Sequence, residues 1–175
     1  MKPTVTQLIN LLDKPNLVKW ANNLGLTGVS LSEYRQSKKG QGTNMHHQIQ
    51  ECILNAVPIE DAELSAGYNK FFEDKEILSC EENVETEYFV GRLDCRFKHN
   101  DNYYVADFKS GSGIYLNTKL QLTAYKMAYP NHQIGIIKIP NFYYKAIDIE
   151  FEKYKKILIT LSNLYNHIQD AGEKL

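Results

Sequence analysis

Residues 88–109 constrain the fold more than any other stretch of this 175-residue chain. In 88–97 the odd positions carry Phe89, Gly91, Leu93, Cys95 and Phe97, and the even ones include Arg92, Asp94 and Arg96. Successive side chains of a strand point to opposite faces, so this pattern predicts a strand with one apolar and one charged face. The polar run Lys98-His99-Asn100-Asp101-Asn102 predicts a turn. In 103–109, Tyr103, Val105, Asp107 and Lys109 share a face, with Tyr104, Ala106 and Phe108 on the other. An antiparallel hairpin then brings Asp94, Asp107 and Lys109 onto one surface.

Two carboxylates and an ammonium on a pleated sheet suit a divalent cation. Hard cations such as magnesium take oxygen ligands, often one or two carboxylates plus water. Such an ion polarises a phosphate and acidifies a water, and a neighbouring lysine stabilises developing negative charge. The same pattern also fits a solvated ion-pair cluster, because charges on strands are usually just exposed.

The remaining elements follow from periodicity and punctuation. Residues 4–12 and 15–24 predict two short helices, with Thr4, Thr6 and Asn16 as candidate caps, Pro15 near a first turn and Gly25 as a stop. Trp20 shares an apolar stripe with Leu17 and Leu24 and reads as core. A short helix over 30–37 is expected to break at Lys38-Lys39-Gly40-Gln41-Gly42, and a longer one to run over 43–55 from a Thr43 cap. His46 starts that helix, with Gln50 one turn on. A helix over 58–74 leads to a strand over 77–81, where Glu81, Glu85 and Glu87 read as exposed carboxylates.

Ser110-Gly111-Ser112-Gly113 reads as a flexible loop. A helix over 117–129 carries Gln121 and Tyr125 on one face. Residues 134–139 and 142–148 predict strands, the first apolar enough to be central, and 150–169 an amphipathic helix. The sum is one α/β domain over 1–175, a central mixed sheet flanked by helices. Its parts are a mainly helical 1–75, a sheet with the Gln121 helix over 76–149, and a C-terminal helix over 150–175.

Composition excludes more than it selects. Cys52, Cys80 and Cys95 form no C-x-x-C pair, so neither zinc nor a disulfide framework is indicated, and reduced cytoplasm is the simple reading. No apolar run approaches membrane-spanning length, and no signal-peptide pattern opens the chain. The net charge is −1, but its distribution is uneven. Residues 59–90 hold ten acids and two lysines; residues 91–126 hold six basic groups (Arg92, Arg96, Lys98, Lys109, Lys119, Lys126) against three acids. A positive groove around Asp94 and Asp107 is therefore an expectation. Twelve tyrosines offer faces for base stacking.

The ordered motifs G-x-x-D (Gly91, Asp94), D-F-K (Asp107, Phe108, Lys109) and Q-L-x-x-Y (Gln121, Leu122, Tyr125) resemble the RecB-like branch of the PD-(D/E)XK nucleases. K-G-Q-G-T-N-M-H, ending at His46, is similar to the G-T-x-x-H element that precedes the core in that branch. Motif position and helix face favour His46 over His47. P-T-V-T-Q-L-I followed by L-V-K-W resembles the opening of phage-encoded and mitochondrial single-strand exonucleases, so the likeness spans about residues 3–130.

The resemblance implies a restriction-endonuclease-like core with a helical N-terminal extension. It implies Mg²⁺ or Mn²⁺ held by His46, Asp94, Asp107 and the carbonyl of Phe108; an imidazole among oxygens tilts preference toward manganese. Asp94, Asp107 and Lys109 would be catalytic, Lys109 orienting the attacking water, and Gln121 and Tyr125 would hold the substrate. The products would be a 5′-phosphate and a 3′-hydroxyl. The iron–sulfur cysteines of several relatives are absent, so no cluster is expected. The segment before His46 is expected to arch over the site, and single-stranded DNA is the expected partner. Alternatives are an endonuclease or junction-cleaving enzyme on the same fold, and a non-catalytic DNA-binding module.

Overall fold

The computed structural model describes residues 2–12, 15–26, 31–111 and 113–173. The helices are α1 (Val5–Asn10), α2 (Pro15–Leu26), α3 (Leu31–Asn55), α4 (Ala62–Phe72), α5 (Leu116–Ala128) and α6 (Phe151–Asp170). The strands are β1 (Glu76–Glu85), β2 (Val90–His99), β3 (Asn102–Lys109), β4 (Gln133–Lys138) and β5 (Tyr143–Ala146). They form one five-stranded sheet in the order β1-β2-β3-β4-β5. Only the β3–β4 pair is parallel, and α5 lies in the crossover between them. Parallel neighbours require such a crossover. The sheet is thus mixed, as expected, and β4 is an inner strand.

Local chemistry explains the helix ends. Thr4 caps α1 in a reciprocal box with Gln7, each side chain meeting the other's backbone N–H. Asp61 caps α4 by accepting from Leu64 N at 2.9 Å. Asn16 lies inside α2, and Gly25 does not stop it. The side chain of Trp20 lies outside the described residues, so its expected place in the core stays with the sequence.

Helices cover both sheet faces. On one face Ala106, Phe108 and Ile137 pack with Ile49 of α3 and Leu64 and Phe72 of α4. On the other, Val105, Ile134 and Ile136 pack with Leu122 and Tyr125 of α5. Beyond α5, its Leu120 and Ala124 meet Val5 and Leu8 of α1 and Tyr154, Leu158 and Leu161 of α6. Among the described residues no helix is long and apolar enough to cross a membrane.

Two expectations are corrected. Lys38-Lys39-Gly40-Gln41-Gly42 does not break the chain; α3 runs through it as one helix. Glycine costs only about 1 kcal/mol in a helix interior, and a long packed helix absorbs that. Gly42 also has a use, since a Cβ there would lie 3.1 Å from Ser110 Oγ.

The strict alternation of 88–97 also fails. Leu93 belongs to the cluster under α5, whereas Cys95 and Phe97 belong to the one under α3 and α4. The phase slips by one residue at Asp94. β1 deviates at the facing position: Glu81, flanked by the pairs Cys80↔Cys95 and Glu82↔Leu93, has φ of 53°. A non-glycine residue in this left-handed region costs roughly 1–3 kcal/mol and persists only where its surroundings over-determine it.

Candidate active site

The candidate site lies where the sheet parts. β2 and β3 pair from His99↔Asn102 to Cys95↔Ala106. Past Ala106, β3 continues beside β4 to Lys109↔Lys138, while β2 stays with β1. The N–H of Phe108 therefore has no β2 partner and donates to Asp94 Oδ2 at 2.9 Å. That bond bridges the opening and seats Asp94 beside the end of β3.

Asp107 is buried, 1% exposed, and its Oδ2 makes no hydrogen bond. Lys109 Nζ lies 2.6 Å from that oxygen, at ion-pair distance but off hydrogen-bond direction. His46 reaches in from α3, its Nδ1 3.8 Å from Asp94 Oδ2 and its ring edge-on to Phe108. Asp94, Asp107, Lys109 and His46 thus meet at one place in the fold. His47, their neighbour in sequence, is exposed on the cleft wall.

Burial and mutual repulsion set the electrostatics. Burial first, then the neighbouring Asp107 charge, holds the Asp94 carboxyl well above the usual carboxylate range. Burial also raises Asp107, against the pull of the Lys109 ammonium. Burial lowers His46 below its ordinary value, so neutral imidazole is favoured. Two crowded carboxylates and a neutral imidazole gain from a cation between them.

Gln121 and Tyr125 occupy different places. Lys109 Nζ donates to Gln121 Oε1 at 3.5 Å, Gln121 Nε2 donates to the Tyr125 hydroxyl at 2.8 Å, and that hydroxyl donates to the Arg92 carbonyl at 2.8 Å. Tyr125 is 1% exposed. Its ring is core and its hydroxyl bonds Gln121 and the Arg92 carbonyl, so it braces Gln121, and both residues are among those lining the cleft. Shared helix spacing could not reveal this, because it says nothing of depth.

A cleft of about 1380 Å³ opens over the site. Its walls come from α1 (Val5, Ile9), α3 (Gly42 to Gln50), β1 and β2 (Glu81, Arg92, Asp94) and α5 (Asn117, Gln121). The segment before His46 is thus part of a helix that forms one wall. Three carboxylates, Glu81, Glu85 and Asp94, line this cleft, and Arg92 is the one Lys or Arg among its described lining residues.

Among the described residues the expected positive groove does not form. Arg96 pairs with Glu82 at 3.0 Å and lies over the Tyr129 ring, Lys98 lies over Tyr103, Lys119 over Tyr154, and Lys126 donates to the His132 carbonyl. Proximity in sequence did not bring these groups to one face, because strand and helix geometry spread them around the surface. Of the tyrosines, Tyr103 is not among the cleft residues, and Tyr125 is among them but buried. Tyr115 is 72% exposed between the cleft residues Ser110 and Asn117, its ring packed against Gly113 where a Cβ would clash.

The resemblance offers Glu81, with Glu85 and Glu87 as alternatives, as a match to an acidic position of the family's strand, but does not foresee its pairing with Arg92. Arg92 Nε lies 2.7 Å from Glu81 Oε2, inside the cleft. Alternation marks Glu81 as an exposed strand carboxylate; the left-handed backbone that turns it inward leaves no trace in the pattern.

The donors fit a hard divalent cation. Asp107 Oδ2 is a buried acceptor whose one close partner is the Lys109 ammonium, and Asp94 and His46 stand near it. Among the described residues no three His, Cys, Asp or Glu side chains already converge as a cage. Magnesium needs none, since it commonly binds one or two carboxylates and keeps several waters.

No protein-family profile matches the chain, and no curated protein matches it. Among solved structures, the chain is similar to one titled "Crystal structure of SSO0001", with a TM-score of 0.43 and 14% identity over 93% of this chain and 76% of that one. The functional reading accordingly rests on the site itself.

Proposed function

We propose that this protein is a metal-dependent DNA nuclease of PD-(D/E)XK type, acting as an exonuclease on single-stranded ends. The observation that carries this reading is the meeting of Asp94, Asp107 and Lys109 where β2 and β3 part. On this reading the mixed sheet is a restriction-endonuclease-like core and α1 to α3 are its N-terminal extension. Binding alone needs no pair of buried carboxylates beside a lysine, which weighs against a non-catalytic DNA-binding module.

His46, Asp94, Asp107 and the Phe108 carbonyl would hold Mg²⁺ or Mn²⁺. When bound, the ion supplies positive charge to the scissile phosphate and makes an attacking water more acidic. Hydrolysis then forms a bond from water oxygen to phosphorus and breaks the bond to the 3′-oxygen. The proton passes to that leaving oxygen, giving a 3′-hydroxyl and a 5′-phosphate. Lys109, held by Asp107 and Gln121, aims its ammonium at the phosphate and orients the water. Gln121, braced by Tyr125, contacts the strand.

Single-strand preference would draw on Tyr115, an exposed ring that lies in sequence between the cleft residues Ser110 and Asn117; stacking of an unpaired base on such a ring is worth about 1–3 kcal/mol. A duplex hides that base face. With Arg92 the one Lys or Arg among the described lining residues, phosphate contacts from these alone would hold a duplex weakly. The test is a time course in manganese, at one salt concentration, on end-labelled single strands, blunt duplexes and covalently closed single-stranded circles. Linear single strands should be cut fastest and circles should resist. Rapid nicking of circles would make the protein an endonuclease, and equal rates on duplex and single strand would reject the stacking contribution.

A further inference from the structure

We infer that Arg92, held by Glu81, is the phosphate anchor that fixes the substrate strand in the cleft, an assignment that rests on the nuclease reading. Four observations converge on it. Arg92 is the one Lys or Arg among the described residues lining a cleft that also holds the carboxylates Glu81, Glu85 and Asp94. Its side chain is 65% exposed, so the guanidinium meets solvent while Nε is held 2.7 Å from Glu81 Oε2. Its backbone is fixed from the other side by the Tyr125 hydroxyl, which also braces Gln121. Glu81 makes its contact from a left-handed backbone, φ of 53°, facing Asp94 across the β1–β2 ladder.

These facts assign separate roles. An acid-rich cleft draws in a cation but repels a polyanion, so one strand phosphate needs a compensating positive group. A guanidinium is the side chain suited to it, because its planar fork matches two phosphate oxygens. Left alone, an arginine this exposed would sample many rotamers. The Glu81 ion pair restricts it, at a distance from Asp94 set by the paired strands. Glu81 is thus a positioning residue that acts through Arg92. Arg92 and Lys109 are tied to one chain of contacts, running from Lys109 through Gln121 and Tyr125 to the Arg92 carbonyl. Adjacent phosphates would be read by its two ends.

The experiment measures binding of a fluorescent oligothymidylate in chelator, where nothing is cut, across a salt series. It also measures kcat and KM in manganese. Arg92→Ala should weaken binding about tenfold and lower the salt slope by about 0.7, the single-strand value for one phosphate contact. Arg92→Lys should keep the slope and recover part of the affinity. Glu81→Ala should lower kcat in the wild-type background and have no further effect in the Arg92→Ala background, as expected when one residue works through another. A wild-type binding constant and slope in Arg92→Ala, with cleavage intact, would overturn this assignment alone. Additive effects of the two substitutions would overturn the role of Glu81. A wild-type protein that binds no oligonucleotide would overturn the assignment together with the nuclease reading.

Discussion

At the scale of single residues, Lys109 separates binding from chemistry most cleanly. Its ammonium lies 2.6 Å from Asp107 and is partly exposed, so its loss removes the partner of a buried carboxylate and few packing contacts. Lys109→Ala should lower kcat by about 10²-fold or more while oligonucleotide affinity changes little, because a contact made in the transition state appears in turnover rather than in ground-state binding. Single-turnover kinetics beside an anisotropy titration checks this; near wild-type turnover would remove Lys109 from the mechanism. Asp94, Asp107, Lys109 and Gln121 were legible as a set from motif spacing, and the folded chain brings them together. Tyr125 was legible as Gln121's neighbour but not as a buried brace. Glu81 and Arg92 were illegible as a pair, because a left-handed residue inside a strand breaks the alternation from which facing is read.

Elements carried most of the readable signal. The strands and α4 to α6 lie where periodicity puts them, within a few residues. Failures came where tertiary packing overrides local preference: the glycines that α3 absorbs, and the slip at Asp94. Two predictions belong here. Tyr125 ties α5 to β2 through its hydroxyl. Tyr125→Phe keeps the ring but strands the Arg92 carbonyl and Gln121, and should cost about 1–3 kcal/mol in a denaturant titration. It should also lower activity through Gln121. The second concerns Glu82, which links β1 to β2 and to the end of α5 by accepting from Ser79, Arg96 and Tyr129. Burial raises its pKa, but those three donors together outweigh burial and hold it below the ordinary carboxylate range. A depressed carboxylate stabilises the fold above its unfolded pKa, and that stability is lost as pH falls through the folded value. Glu82→Gln should therefore flatten the decline of melting temperature below about pH 4.3, the unfolded glutamate value. An unchanged acid limb would show that the three donors leave Glu82 without a net stabilising charge.

At the scale of the whole molecule, charge was the least legible property. Counting lysines and arginines along 91–126 suggests a positive groove, yet folding sends four of the six to other partners and leaves a carboxylate-rich cleft. Such a cleft suits a divalent ion first and a nucleic-acid strand second. On the nuclease reading, the salt dependence of binding should accordingly be shallow. The carboxylates also carry a stability cost, since Asp94 and Asp107 are buried close together. Replacing one by its neutral isostere should leave the fold as stable or more so while removing the function, the usual trade at a site built of like charges. The most direct test is therefore cleavage of end-labelled linear single-stranded DNA in manganese by wild-type protein and by Asp107→Asn, with melting temperatures measured on both. Wild-type protein should release 5′-phosphorylated products, excess chelator should stop it, and Asp107→Asn should lose at least about 10³-fold in rate with an equal or higher melting temperature. Cleavage that persists in chelator, or an Asp107→Asn variant that cuts at the wild-type rate, would contradict the account.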